Sequence, residues 1–168
     1  MILLKCSLWK VAEIFFLEPT KTHYIKEISR RINLAHTSVK KHLIDLIDLG
    51  LIKEYDKEVF KGYKAVRENP EFIFHKKIAN LIFLRYSGII DKIAEKYPKT
   101  IILFGSYDKG EDIESSDIDL FVNSPRFKIA LTEFEASLKR KMHIIFKGET
   151  TKNLMESINQ GNILFGER

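Results

Sequence analysis

The chain has 168 residues, 45% of them hydrophobic and 30% charged, with a formal net charge of +5 at pH 7. That length holds one medium domain or two small ones, and that apolar share excludes a disordered or low-complexity chain. Cys6 is the single cysteine; no disulfide can form within the chain, and a buried free thiol suits the reducing cytoplasm where the protein is expected.

The charge is uneven. Residues 1–68 carry 13 Lys and Arg against 9 Asp and Glu, a net of +4, whereas residues 69–168 carry 15 against 14, a net of +1. The excess favours a polyanionic partner for the N-terminal part. Met1-Ile2-Leu3-Leu4 is too short for a signal-peptide core, and Lys5 and Lys10 interrupt it. No apolar run reaches the roughly 20 residues that span a bilayer. Residues 79–90 are broken by Asn80, Arg85 and Gly88, so no membrane partner is expected.

Leu8, Val11, Ala12, Phe15 and Phe16 recur at helical spacing and predict a helix over residues 5–17, ended by Pro19-Thr20. Ile25, Ile28 and Ile32 mark a second helix, and Asn33-Leu34 a short turn. A third helix covers residues 35–49, with Val39, Leu43, Leu46, Ile47 and Leu49 facing inward and Gly50 as its C-terminal cap. Strand-like stretches at 51–55 and 63–66 flank a loop holding Lys57, Lys61 and Gly62. Helix, helix, short turn, helix and hairpin is the layout of a winged helix-turn-helix domain. The run from Thr37-Ser38-Val39-Lys40-Lys41-His42-Leu43 through Leu49-Gly50-Leu51-Ile52 resembles the recognition helix and the start of the wing in bacterial and archaeal winged-helix regulators. The resemblance covers about residues 8–66 and implies DNA as partner. His36, Thr37, Ser38 and Lys41 would face base edges in the major groove. Arg30, Arg31, Lys40, Lys57, Lys61 and Lys64 would meet phosphates. A protein-docking role is the alternative.

Asn69-Pro70-Glu71 starts the next helix, with Asn as N-cap, Pro in the first turn and an acid behind it. Phe72, Phe74, Ile78, Leu81, Ile82 and Leu84 give it a broad apolar surface. Gly88 interrupts it, and residues 89–97 continue to Pro98. Residues 69–98 are read as a helical bridge that packs the two domains, mediates a homodimer, or does both.

The run Ile101, Ile102, Leu103, Phe104 reads as a buried strand that stops at Gly105-Ser106. Asp117-Ile118-Asp119 then opens a second apolar run, Leu120-Phe121-Val122. Alternation along a strand puts Asp117 and Asp119 on one face. Two such carboxylates can hold magnesium, which takes one or two protein carboxylates and fills its shell with water and substrate phosphate. Gly105 lets the backbone approach a phosphate, and Ser106 offers a hydroxyl and an N–H. Phe104-Gly105-Ser106-Tyr107-Asp108-Lys109-Gly110-Glu111 and Ser116-Asp117-Ile118-Asp119-Leu120 resemble the signature of the nucleotidyltransferase superfamily related to DNA polymerase β. The likeness is to its minimal prokaryotic branch, with Asp108 and Lys109 where Ala-Arg is usual.

Beyond Asn123-Ser124-Pro125, a helix is predicted over residues 127–139, a third strand over 141–146, a last helix over 151–160 and a short apolar tail at Ile163-Leu164-Phe165. Active relatives of this family bring a third carboxylate on that strand, and His143 stands at the matching position. Histidine can bind metal or act as a base near neutral pH. Glu149 is the nearest acid in sequence to the strand but does not match the family's pattern.

The expectation is an α+β protein with three parts. Residues 1–68 form a winged helix-turn-helix domain, 69–98 a helical bridge, and 99–168 a nucleotidyltransferase-like mixed sheet with flanking helices. The resemblance implies magnesium-dependent transfer of a nucleoside monophosphate, AMP from ATP or another NTP, to a hydroxyl. Asp117 and Asp119 would hold the metal, Gly105, Ser106 and Lys109 the nucleotide, and His143 would complete the catalytic set. Some minimal nucleotidyltransferases act as antitoxins on a HEPN-type toxin, which makes a protein acceptor an expected partner. The rival reading is a non-catalytic DNA-binding regulator whose second domain senses nucleotide or a partner.

Overall fold

Apolar residues at helical spacing build the first three helices, α1 (Ser7–Leu17), α2 (Ile25–Ile32) and α3 (His36–Asp48). They belong to a computed structural model that describes residues 5–55 and 61–167. Met1–Leu4 and Lys57, singled out above, lie outside the described residues. The chain divides into two compact units, Met1–Lys76 and Lys77–Arg168.

In the first unit, Val11, Phe15, Ile28, Val39, Leu43 and Leu46 are buried. β1 (Ile52–Tyr55) and β2 (Gly62–Ala65) pair antiparallel. The His23 backbone exchanges two hydrogen bonds with Tyr63, each 2.9 Å, and so adds a short third rung. Three expectations need correction. Cys6 is exposed rather than buried, because it precedes α1 as its N-cap. Leu49 is 52% exposed rather than core; it is the C-cap of α3, where the chain leaves the helix through Gly50 at φ +70°. In the sequence, His23, His36, His42 and His75 show no ligand spacing with cysteines or acids. The turn after α1 instead brings His23 beside Glu18 and Glu27.

The division between the units falls inside α4 (Pro70–Ser87). Asn69 starts this helix as expected, its Oδ1 accepting the Glu71 N–H at 3.0 Å. The broad apolar surface is buried only in part: Phe72 and Leu84 are core, whereas Phe74 is 58% exposed. Gly88, at φ +81°, ends α4 and leads into α5 (Ile89–Ala94).

The second unit is built on a four-stranded mixed sheet. Its strands are β3 (Thr100–Phe104), β4 (Ile118–Val122), β5 (Met142–Phe146) and β6 (Asn162–Gly166), in the order β5-β4-β3-β6. β3 runs antiparallel to β4 and β6, and β4 runs parallel to β5. Side chains alternate along β3 and β4, and both faces of these two strands are covered. Ile101, Leu103, Ile118, Leu120 and Val122 pack with Ile89 and Ile93 of α5 on one face. Ile102, Phe104, Phe121 and Ile145 pack with Ile158 of α8 (Lys152–Gln160) on the other. Burying both faces is what makes these strands read as continuous apolar runs.

Two elements here differ from expectation. The helix predicted over 127–139 is only α7 (Thr132–Leu138). Phe127, Ile129 and Leu131 pack against the core while Lys128 and Ala130 are exposed. The alternation has period two in a segment that is neither helix nor strand, where a helical face is expected. The apolar tail is not a loose end but strand β6, hydrogen-bonded to β3. Among the described residues, no helix is long and apolar enough to cross a membrane.

Candidate active site

β3 is buried throughout and ends where Gly105 adopts φ +81°. Gly105 opens α6 (Gly105–Lys109), a single turn closed by Gly110 at φ +77°. The register of the antiparallel pair sets Phe104 opposite Asp119, which carries the glycine turn onto the Asp119 side chain. A Cβ added at residue 105 would lie 2.6 Å from Asp119 Oδ2. Only glycine lets the backbone come this close in this conformation.

Asp119 stands in β4 and is half-buried, while Asp117 precedes the strand and is exposed. The parallel register pairs Asp119 with His143 in β5, and His143 Nδ1 lies 3.5 Å from Asp119 Oδ1. Burial pushes the Asp119 carboxyl above its ordinary value, the neighbouring Asp117 charge adds to this, and His143 opposes both. A carboxylate held under such strain gains from an arriving cation. The fold thus gathers Gly105, Ser106, Asp117, Asp119 and His143 at one end of the sheet. Lys109, the last residue of α6, is exposed. Glu149 belongs elsewhere: it accepts the Phe146 N–H at 2.9 Å and pairs with Arg126 at 2.7 Å.

Buried polar contacts that sequence reasoning missed hold this end in place. Asn80 Nδ2 donates to Tyr107 O at 2.8 Å and to Asp112 Oδ1 at 2.7 Å. Arg140 donates to Asp112 Oδ2 at 3.3 Å, with both side chains nearly inaccessible. Burial, with the Asp112 charge beside it, pushes the Tyr107 phenol well above its ordinary value. Asp108, where the resemblance has alanine, is buried and accepts a short hydrogen bond from Asn162 of β6. The unusual acid in the motif therefore has a local partner.

In the first unit, His36, Thr37, Lys40 and Lys61 border a 660 Å³, mostly apolar cavity with Tyr24 and Ile25. Ser38 is half-buried, whereas Arg30 and Lys41 are exposed. Lys61 pairs with Glu54 at 2.5 Å, and Arg31 is drawn into ion pairs with Glu18 and Glu27. Among the described residues, one trio of metal-type side chains has ligand atoms within 4.8 Å of one another: Glu18, His23 and Glu27. It lies in the first unit, whereas Asp117 and Asp119 belong to the second. Arg31 bridges its two carboxylates and Lys21 binds Glu18 at 2.9 Å. His23 Nε2 lies 3.1 Å from the Glu18 carbonyl oxygen. With both acids already matched by cations, the trio is an ion-pair network.

Residues 87–160 match the family model of the nucleotidyltransferase domain. That span runs from the end of α4 through α8 and contains every residue of the Gly105–Asp119 site. It supports nucleotidyl transfer as the general activity of the second unit. No curated protein and no solved structure matches the chain.

Proposed function

We propose that the chain transfers a nucleoside monophosphate, AMP from ATP, to a hydroxyl of a protein acceptor, the hydroxyl oxygen bonding to the α-phosphorus as pyrophosphate leaves, and that its first unit is a winged helix that binds DNA. The observation that carries the transfer reading is the approach of Gly105 to Asp119, with Asp117 alongside. The site fits magnesium on its donor chemistry: two hard carboxylates, one of them destabilised by burial and by its neighbour. Asp117 and Asp119 would hold the ion, which when bound supplies charge neutralisation for the phosphates. The Ser106 hydroxyl and the N–H groups at the start of α6 would hold phosphate oxygens, with Lys109 at the outer end of the turn. His143 Nδ1 faces Asp119, and Nε2 would take the proton from the acceptor hydroxyl.

A cytoplasmic antitoxin acting on a HEPN-type toxin is the setting we favour, with a homodimer as one assembly. Transfer of label from ATP to a co-expressed neighbouring protein tests the activity. A labelled product is expected in wild type, and its absence with every neighbour would overturn the transfer reading.

The register of His143 with Asp119 favours one second reading. An imidazole at the position matched to the family's third carboxylate supports a hard ion less well than an acid does. A non-catalytic DNA-binding regulator that senses nucleotide would bind Mg·ATP without turnover. DNA binding itself is tested by gel shift across salt, where a steep fall in affinity is expected from counterion release. Lack of binding at low salt would favour a protein-docking role for the first unit.

A further inference from the structure

A second cavity, of 430 Å³, lies where the chain enters β4 and β5. Its lining includes Ser115, Ser116 and Asp117, ahead of β4, and Thr132 of α7 and Lys139, ahead of β5. In the strand order β5-β4-β3-β6, Gly105 and Ser106 extend from β3, on one side of Asp119. The cavity flanks the segments entering β4 and β5, on the other side. A site that holds nucleotide on the β3 side leaves this side for the group that attacks it.

The cavity's charges are mostly spent. Arg140 is paired with Asp112, and Lys141 with Glu135, each at 3.3 Å. Among the described residues that line it, Lys139 is the cation in neither of these pairs, and it is exposed. Lys139 also stands at φ +53°, as the C-cap of α7. Glycine is the usual residue in that conformation, and a lysine there carries backbone strain. The chain thus keeps an ammonium group at a position where backbone preference disfavours a side chain.

We propose that this cavity seats the acceptor, and that Lys139 selects a carboxylate beside the acceptor hydroxyl, making the substrate an acidic, hydroxyl-bearing peptide segment. This rests on the reading of Asp117 and Asp119 as the transfer site. A nucleic acid acceptor is disfavoured because a polyanion is tracked by several cations. Here three lining acids, Glu114, Asp117 and Glu135, balance the three lining cations.

The test is an NMR titration of the full chain with acetyl-Glu-Tyr-amide and with its neutral counterpart, acetyl-Gln-Tyr-amide. The acidic peptide is expected to shift the Ser115, Thr132 and Lys139 amides and to bind about threefold to fivefold more tightly than the neutral one. Lys139→Gln should erase that preference. Lys139→Gly, which suits the backbone, should erase it equally and so exclude misfolding as the cause. Absence of cavity shifts at millimolar peptide, an undiminished preference in both variants, or larger cavity shifts with an oligoribonucleotide would overturn the proposal. Mg·ATP added to the same samples reports on the Gly105 and Ser106 amides. Shifts there without cavity binding refute the acceptor pocket alone, whereas their absence refutes the transfer site.

Discussion

A Cβ at residue 105 would stand 2.6 Å from Asp119 Oδ2, so the turn after β3 and the carboxylate of β4 fit together only with glycine between them. Gly105→Ala is expected to meet two costs at once. Alanine at φ +81° is strained by about 1–2 kcal/mol, and its methyl must also displace the Asp119 carboxylate. The melting temperature should fall, and Mg·ATP affinity should fall further than that of an equally destabilised core variant. Both are read by calorimetry. Unchanged affinity would separate Gly105 from the nucleotide site.

Asp112 is the buried anchor beneath this site, fully inaccessible and paired with Arg140 and Asn80. Asp112→Ala leaves the Arg140 charge buried without its carboxylate. Breaking one side of such a pair costs about 3–5 kcal/mol. Denaturant unfolding followed by circular dichroism should show this loss in the second unit. A change within about 0.5 kcal/mol, the usual range for surface substitutions, would mean water replaces the carboxylate.

Some of this was legible in the sequence and some was not, for physical reasons. Ile25, Ile28 and Ile32 repeat at helical spacing, and α2 is the helix they predict. Gly50, Gly88 and Gly105 mark turns, and all three take positive φ. The alternation expected to set Asp117 and Asp119 on one strand face reaches only Asp119, because β4 begins at Ile118; the pairing of Phe104 with Asp119, which no local pattern marks, brings that carboxylate beside the glycine turn. Phe127, Ile129 and Leu131 were misread, since a short apolar segment satisfies a helical and an extended period about equally well. The Asn80–Asp112–Arg140 contacts join residues 28 and 32 apart in sequence. No local pattern marks them, and Asp112 looks like one more acid in an acidic loop. The pairing of Asp108 with Asn162 is hidden in the same way, because β6 read as a tail.

Glu18 makes the first unit sensitive to acid. Burial opposes its ionisation, but Arg31 and Lys21 outweigh this and bring its carboxyl down from 4.5 to about 2. The ionised group therefore contributes stability that is fully present above about pH 4.5 and is lost as pH falls through about 2. Trp9 is the one tryptophan of the chain and lies in this unit, so its fluorescence reports unfolding there. Glu18→Gln should lower the midpoint at pH 7 and flatten its decline between pH 4.5 and 2. An unaltered acid limb would assign that decline to other carboxylates.

His143 separates enzyme from sensor. It stands in register with Asp119, so His143→Asp would set a third carboxylate beside Asp117 and Asp119. Without magnesium, like-charge repulsion should lower the melting temperature; with magnesium, stability should recover and transfer from ATP should rise. Thermal melts and labelled-nucleotide transfer are the readouts. If magnesium changes neither quantity in the variant, His143 is not the counterpart of the missing acid.

The central claim is that Asp117 and Asp119 form the metal-dependent nucleotide site, and calorimetric titration of ATP with and without magnesium tests it most directly. Magnesium-dependent binding is expected in the wild type and none in Asp117→Asn/Asp119→Asn, whose fold should be unchanged by circular dichroism. Equal affinity in the two proteins would contradict it.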